Sequence, residues 1–341
     1  MITAIWTIVI FCVLVAIHEF GHFITAKLSG ITVHEFAIGM GPKLVGFEKG
    51  GTKYTLRLLP IGGYCQMEGK DGESGDENAF CNKPAWKRLI VLVAGAAMNI
   101  LLGFVLYCIV MGSMQGLPSN QIQTVTENSA MADAGFLPGD RIVCAQGEQA
   151  SETIRNYIDF QYFLMRNGTG PATITAERDG ETISAYVQPR YDEAEGRYLY
   201  GFAAAYDAPT VGNVIKYAYW QSCFAVKMVI YSIGGLITGQ VPLSALSGPV
   251  GIVDQINQSA KLGVTAVLEL SALISINLGV ANLLPIPALD GGRVLFLLIE
   301  KIRRKKMKPE HEGVINFVGF ALLMLLIVFV TFGDVRRIFG G

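Results

Sequence analysis

Two histidines stand one helical turn apart in this chain, with an acid beside the first of them. The segment reads His18-Glu19-Phe20-Gly21-His22, and it follows the almost uniformly hydrophobic run from Ile5 to Ala16. On a helix, positions i and i+4 share one face, so both imidazoles can bind the same metal ion. The pattern predicts a zinc site in which Glu19 is the general base for an attacking water.

The same pattern also arises by chance on the surface helices of soluble proteins. Its position in an apolar segment favours a function here. Ionisable groups at membrane depth cost several kcal/mol and are seldom retained without a role.

A catalytic zinc ion takes three protein ligands and leaves one position for water. Another apolar segment must therefore supply a third donor. One candidate is Asp290, in the segment Asn282-Leu-Leu-Pro285-Ile-Pro287-Ala-Leu-Asp290-Gly291-Gly292, and the other is Glu269. In isolation, Asp-Gly-Gly would be an ordinary turn. Depth in the membrane nevertheless favours Asp290, because Glu269 lies near the outer end of its span and the histidines lie toward the cytoplasmic end of theirs.

The composition is that of an integral membrane protein. Of the 341 residues, 51% are hydrophobic and 16% are charged, whereas soluble domains carry about 25% charged residues. The net charge of −1 gives no electrostatic footprint for nucleic acid, which we therefore exclude as an expected partner. The six cysteines include no Cys-x-x-Cys pair, so a thiolate zinc site is not expected.

Four segments are predicted to cross the membrane as helices, because each supplies about 20 largely apolar residues. The third breaks at Pro285 and Pro287, which is tolerated where a helix lines a cavity or is buried in protein. Lysine and arginine are concentrated in the loop after the first segment and in the Lys301–Lys308 run before the last. This distribution predicts that both loops are cytoplasmic.

The stretch from Thr210 to Gly239 is apolar enough to resemble a fifth span. Its apolar residues fall on one helical face, with Asn213, Lys216 and Lys227 off that face, which is typical of an interfacial amphipathic helix. A fifth span would also place the Lys301–Lys308 run outside, against the charge rule. We therefore expect this helix to lie in the interface.

Between Leu117 and Ala208 the pattern is that of a small soluble domain. Short runs at Ile122–Val125, Arg141–Cys144, Ala172–Ala176 and Thr182–Val187 predict strands, and the last two form a hairpin around Asp179-Gly180. We expect helices over Ala130–Ala134 and Thr153–Arg166. About 90 residues suffice for one small domain.

These motifs resemble the site-2 protease family of intramembrane zinc metalloproteases, and the resemblance covers nearly the whole chain. It is carried by the helical His18-Glu19-x-x-His22 and by Asn282-x-x-Pro285-x-Pro287-x-x-Asp290-Gly291. Phe36–Leu44 resembles the family's Gly-x-Gly segment in a hairpin that dips into the membrane, and Leu58–Tyr64 resembles the strand that follows. Residues 117–208 resemble a circularly permuted PDZ domain, and Leu246–Gly251 resembles the motif before the third span.

The resemblance implies a polytopic α-helical membrane protein with about four transmembrane helices, a membrane-re-entrant β-hairpin and one inserted extracytoplasmic PDZ-like α+β domain. The expected divisions are transmembrane helix 1 (1–28), a cytoplasmic loop with the membrane-associated β-hairpin (29–85), transmembrane helix 2 (86–113), the PDZ-like domain (114–208), the interfacial helix and linker (209–262), transmembrane helix 3 (263–300), the basic cytoplasmic loop (301–312) and transmembrane helix 4 (313–333).

The resemblance also implies the roles of individual residues. It assigns His18, His22 and Asp290 as Zn²⁺ ligands and Glu19 as the catalytic base. The substrate-binding residues that it implies are Asn282, Pro285, Gly39 and Gly41.

The expected function is cleavage of transmembrane segments of single-span proteins in the bacterial inner membrane. The active site would lie toward the cytoplasmic side, with the lipid bilayer as its surroundings. The resemblance suggests anti-sigma factors or remnant signal peptides as substrates. Well-known enterobacterial relatives carry two PDZ domains in tandem, whereas the space here fits one. This is a departure from the arrangement for which a substrate-exclusion role is proposed, and the single domain is expected to filter bulky ectodomains or to sense a new C-terminus.

Two alternatives from other classes remain open. A non-catalytic membrane scaffold that displays a PDZ domain would bind no zinc. A metal transporter would need further ligands along its spans.

Overall fold

The structure is a computed structural model that describes residues 2–70, 72–193, 196–243, 246–305, 307 and 309–339. The basic run Lys301–Lys308 therefore lies partly outside the described residues, at positions 306 and 308. The chain divides into two compact units. The first comprises Met1–Tyr107 and Ala225–Gly341, and the second comprises Cys108–Phe224.

Helices make up most of the first unit, and eight of the ten described strands lie in the second. In chain order the helices are α1 (Ile2–Leu28), α2 (Ala85–Ser113), α3 (Ala130–Asp133), α4 (Tyr157–Asn167), α5 (Val211–Thr238), α6 (Pro249–Leu262), α7 (Val264–Asn282), α8 (Asp290–Arg303) and α9 (Pro309–Phe339). The strands are β1 (Val33–Lys49), β2 (Thr52–Met67), β3 (Leu117–Val125), β4 (Arg141–Gly147), β5 (Ser151–Thr153), β6 (Ala172–Arg178), β7 (Glu181–Val187), β8 (Arg190–Asp192), β9 (Arg197–Leu199) and β10 (Phe202–Asp207).

Five helices in the described part of the chain are long and apolar enough to cross a membrane. They are α1, α2, α5, α7 and the Glu310–Ile338 portion of α9. Four of them occupy the segments that the sequence predicts as spans. The fifth, α5, is the least apolar of the five and coincides with the stretch predicted to be interfacial, so its position in the interface stays a prediction.

The predicted break in the third span is confirmed. Helix α7 ends at Asn282 and α8 begins at Asp290. Proline lacks the backbone N–H that a helix needs, and Pro285 and Pro287 both fall in the intervening residues. Short-range backbone bonds close the connection, among them the Leu289 N–H to the Ile286 carbonyl at 3.2 Å.

Strands β1 and β2 form a bent antiparallel sheet after α1, where the sequence predicts a hairpin. Residues Glu35 to Ile38 have partners on both sides, Gly63–Gln66 on one and Lys53–Leu56 on the other. Gly39 and Gly41 adopt φ angles of +85° and +82°, which other residues rarely tolerate. Several large apolar side chains are exposed on this sheet, namely Met40, Leu44, Val45, Phe47, Leu56, Leu58 and Leu59.

The second unit is built on a six-stranded sheet with the order β10-β3-β4-β6-β7, with β5 paired to β4. The predicted hairpin is confirmed, since β6 and β7 pair from Ala172–Val187 to Arg178–Glu181. The core of this unit joins the sheet to α4 through buried Phe160, Phe163 and Ile174.

The predicted helix over Thr153–Arg166 is wrong at its start, because α4 begins at Tyr157. The Asn156 side-chain oxygen accepts hydrogen bonds from the N–H groups of Ile158 and Asp159 at 2.8 and 3.0 Å. This N-cap satisfies donors that the first helical turn leaves free. The residues before it form strand β5 and the connection instead.

An ion pair with a buried carboxylate lies at the start of β4 in the second unit. The Asp140 carboxylate is 1% exposed and accepts hydrogen bonds from Arg178 Nε and Nη2, both at 2.7 Å. It also accepts one from the Leu137 N–H at 2.8 Å. The Arg178 guanidinium holds the pKa of Asp140 below its ordinary value of 3.8. The stabilisation is therefore complete above that pH and is lost as the pH falls through the lowered pKa.

We predict that Asp140→Ala loosens this unit, because it leaves the Arg178 charge and the Leu137 N–H without their partner. Amide hydrogen exchange of β4 and β6 in the full-length protein should accelerate on the order of 30-fold. Asp133→Ala is the matched control, since its ion pair with Arg190 is more than half exposed on both sides and exposed pairs contribute little. Equal acceleration in the two variants would contradict the assignment.

Candidate metal centre

Helix α1 places its two motif histidines on one buried face. His18 is 9% exposed and His22 is 2% exposed. Their ring centroids are 4.8 Å apart at an interplanar angle of 85°, and the two Nε2 atoms are 3.2 Å apart. The spacing of four residues therefore produces the convergence that the sequence predicts.

Asp290 joins the two histidines from the first residue of α8. One of its carboxylate oxygens, Oδ2, lies 3.1 Å from the Nε2 atom of His18 and 3.1 Å from that of His22. Its position at a helix N-terminus favours a negative charge. Among the described residues, these three form the one group of His, Cys, Asp or Glu side chains whose ligand atoms all lie within 4.8 Å.

Two glycines after Asp290 let α8 pack against the chain that leads into it. A Cβ at Gly291 would lie 2.2 Å from the Leu284 carbonyl oxygen, and one at Gly292 would lie 2.4 Å from the Ile286 carbonyl oxygen. Both distances are too short for any real side chain. The Asp-Gly-Gly segment is therefore required by packing, in addition to the chemistry of its acid.

The three donor atoms fit a zinc ion. Zinc takes nitrogen and oxygen ligands at about 2.0–2.1 Å in tetrahedral geometry, which separates neighbouring donors by about 3.3 Å. The observed separations of 3.1, 3.1 and 3.2 Å are close to this value. Two imidazoles and one carboxylate are also a ligand set that catalytic zinc uses, with a fourth position open.

Helix α2 contacts both imidazoles, which sequence reasoning did not predict. The Nδ1 atom of His22 lies 2.8 Å from the Val91 carbonyl oxygen, and the Nδ1 atom of His18 lies 3.4 Å from Asn99 Nδ2. A Cβ at Gly95 would lie 2.5 Å from the Nε2 atom of His22 and 2.9 Å from that of His18. The available signal was a glycine and an asparagine four residues apart in an apolar span.

Glu19 lies half-buried beside strand β2. A Cβ at Gly63 would lie 3.4 Å from Glu19 Cγ and 2.8 Å from the Ala37 carbonyl oxygen. Within the described part of the chain, no hydrogen bond to the Glu19 carboxylate is present. The acid is therefore close to the sheet.

The remaining candidates have different positions. Asn282 is half-buried at the last residue of α7, and Pro285 is exposed in the connection to Asp290. Gly39 lies at the bend of β1, where a Cβ would approach the Leu59 carbonyl oxygen to 2.6 Å. The rival acid Glu269 is exposed and does not belong to the group of three.

Known proteins resemble this chain over nearly its whole length. The sequence profile of peptidase family M50 matches residues 6–326. A Clostridium acetobutylicum protein with a zinc metalloprotease name is 38% identical over 96% of each chain. The regulator of sigma-W protease RasP of Bacillus subtilis is 33% identical over 99% of each chain. The zinc metalloprotease RasP of Bacillus licheniformis is 34% identical over 99% of this chain and 100% of the relative.

We predict that Gly95→Ala lowers the zinc affinity by at least about tenfold, because the new methyl group would displace both imidazoles. Gly112→Ala on the same helix is the matched control, since its Cβ would meet nothing within 4 Å. Metal analysis of both purified variants, with chelator competition, measures the difference. Wild-type zinc binding by Gly95→Ala would show that α2 does not confine the histidines.

Proposed function

We propose that this chain, which belongs to peptidase family M50 and is both a zinc metalloprotease and a multi-pass bacterial membrane protein, cleaves transmembrane segments of single-span proteins. The observation that carries the proposal is the convergence of His18 and His22 of the apolar helix α1 with Asp290, which follows the break after the apolar helix α7. A protease whose metal ligands come from membrane helices acts on peptide bonds that lie in or near the bilayer.

In this proposal His18, His22 and Asp290 hold the zinc ion. When bound, zinc polarises the scissile carbonyl and lowers the pKa of a water molecule to near neutrality. Glu19 takes the proton from the attacking water and later delivers it to the leaving amine. Its lack of a hydrogen-bond partner among the described residues supports this role, because a general base must be free to exchange its proton.

A substrate helix must unwind before its carbonyls can react, since its backbone groups are hydrogen-bonded to one another. An exposed strand edge offers replacement hydrogen bonds. Within the described residues, Gly63–Gln66 pair with Glu35–Ile38 alone, whereas Lys53–Leu56 have partners on both sides. Gly63 is also the position that approaches Glu19. We therefore assign the Gly63–Gln66 edge as the site where the unwound substrate adds as a strand.

Four further residues complete the proposed substrate site. Asn282, at the end of α7, would contact the substrate backbone near the scissile bond or donate to the oxyanion. Exposed Pro285 would line the same region. Gly39 and Gly41 shape the bend of β1, and their positive φ angles support a role in holding the sheet that receives the substrate.

We place the protein in the bacterial inner membrane with its active site toward the cytoplasm. The apolar residues exposed on β1 and β2 suit a hairpin that dips into the bilayer. Helix α5 would lie in the outer interface, where the Lys216 ammonium over the Trp220 ring, 4.7 Å from its centroid, is a typical anchor. Residues 114–208 would form an extracytoplasmic PDZ-like domain that excludes bulky ectodomains.

The proposed substrates are single-span proteins whose ectodomains have already been shortened. The Bacillus subtilis relative is named as a regulator of sigma-W protease, which favours anti-sigma factors for this chain. Remnant signal peptides are the second class, because they too are short single spans.

We predict that Glu19→Gln lowers cleavage by at least about 100-fold, because the amide accepts no proton, while zinc stays bound. The assay follows a tagged single-span anti-sigma factor, with its ectodomain removed, in proteoliposomes, alongside metal analysis. Glu269→Gln is the matched control, since Glu269 is an exposed acid on an apolar helix outside the metal group and should retain cleavage. Full proteolysis by Glu19→Gln would refute the mechanism.

We also predict that Gly63→Ala impairs cleavage without removing zinc. Its methyl group would press on the Ala37 carbonyl and on Glu19, and so disturb both the strand edge and the base. The ratio kcat/KM for the same substrate should fall by at least about tenfold. Gly75→Ala, whose Cβ meets nothing within 4 Å, should behave as wild type. Equal activities of the two variants would exclude the Gly63–Gln66 edge as the site where the substrate binds.

A further inference from the structure

Asn99 is a fully buried polar residue in the apolar helix α2, at 0% exposure. Its Nδ2 atom lies 3.4 Å from the Nδ1 atom of His18. Its Oδ1 atom is also buried, and within the described part of the chain it has no hydrogen-bond partner. An amide in such a position needs a role, because a buried polar group without a partner destabilises the fold.

The neighbouring histidine shows what that role is. His22 faces a hydrogen-bond acceptor with its Nδ1 atom, the Val91 carbonyl oxygen at 2.8 Å. A histidine that binds zinc through Nε2 carries its proton on Nδ1 and donates it to an acceptor, which fixes both the tautomer and the ring. For His18, the group that faces Nδ1 is the Asn99 amide.

The hydrogen-bonding groups of the pair decide which amide atom faces the ring. The Asn99 NH₂ group and the protonated Nδ1 of His18 are both donors, so this contact forms no hydrogen bond. Rotation of the amide by 180° presents Oδ1 to the ring and replaces the contact with one N–H···O bond. In the first orientation neither amide group has a hydrogen bond among the described residues, and in the second only the NH₂ group lacks one. The rotation therefore gains a bond and loses none.

We infer that Asn99 is a positioning residue that accepts a hydrogen bond from His18 Nδ1–H and so directs Nε2 at the metal. The inference rests on the proposed role of His18 as a zinc ligand. Helix α7 holds Asn99 in place, because Ser275 Oγ donates to its backbone carbonyl at 2.7 Å. A Cβ at Gly279 would also lie 3.4 Å from Asn99 Cβ, so the two helices are in close contact.

Two substitutions separate this role from simple packing, because the two explanations predict opposite orders of zinc affinity. Asn99→Asp keeps a hydrogen-bond acceptor in the same place, whereas Asn99→Leu keeps similar bulk without one. A positioning role predicts that Asn99→Asp retains wild-type affinity and that Asn99→Leu loses about 10- to 100-fold. A packing role predicts that Asn99→Leu retains wild-type zinc affinity and that Asn99→Asp, which buries a carboxylate, loses affinity.

The measurement is zinc affinity of the purified full-length protein by chelator competition, with thermal unfolding of the metal-free form as a check on folding. Gly112→Ala on the same helix is the control, since a Cβ there would meet nothing within 4 Å; it should keep its zinc affinity. Wild-type affinity in Asn99→Leu, or weaker binding by Asn99→Asp than by Asn99→Leu, would overturn the inference. If Asn99→Leu does not fold, a zinc affinity of Asn99→Asp at least about tenfold below wild type overturns the inference. If Asn99→Asp does not fold, wild-type affinity in Asn99→Leu overturns it.

The experiment uses no substrate, so its outcome is independent of proteolysis. A protein that shows the expected order of zinc affinities but cleaves no single-span substrate would refute the proposed function and leave the role of Asn99 intact. If the wild-type protein cleaves the single-span substrate but Asn99→Leu binds zinc with wild-type affinity, the role of Asn99 is refuted and the proposed function stands.

Discussion

Three ionisable side chains converge among apolar helices, two from α1 and one from the start of α8, and this convergence is the constraint on which the rest of the structure depends. The side chains of His18, His22 and Asp290 are largely buried, and their ligand atoms lie 3.1–3.2 Å apart. Such a cluster is costly at membrane depth unless its members bind one another or a cation. The surrounding helices must therefore fix the positions of the three donor atoms close to one another.

Close packing of the helix backbones fixes these positions, and small residues at the helix contacts make the close packing possible. A Cβ at Gly21 of α1 would lie 2.4 Å from the Ala94 carbonyl of α2, and one at Gly279 of α7 would lie 2.8 Å from the Ala96 carbonyl. Helices α1 and α7 thus both pack directly on α2 around Gly95. The ligand helix and the helix that leads to Asp290 are held by the same stretch of α2.

The convergence of His18, His22 and Asp290 could be predicted from the sequence because such side chains are rare in apolar segments. A two-histidine motif and an acid after paired prolines are unusual there, and the proline break is a local property of the chain. Gly95 and Asn99 could not be assigned in this way, since glycine is common in membrane helices and a lone amide has many uses. Their roles depend on which helix lies against α1, a long-range property. The start of α4 was missed because the Asn156 cap overrides the helical pattern before it.

X-ray absorption at the zinc edge of the purified protein tests the central claim most directly. The account predicts a four-coordinate ion with only nitrogen and oxygen ligands at about 2.0–2.1 Å, and outer-shell scattering from two imidazoles. In Asp290→Ala, one oxygen ligand should be lost or replaced by water while both imidazoles remain. A sulfur ligand at about 2.3 Å, or a spectrum without imidazole scattering, would contradict the assignment of His18, His22 and Asp290.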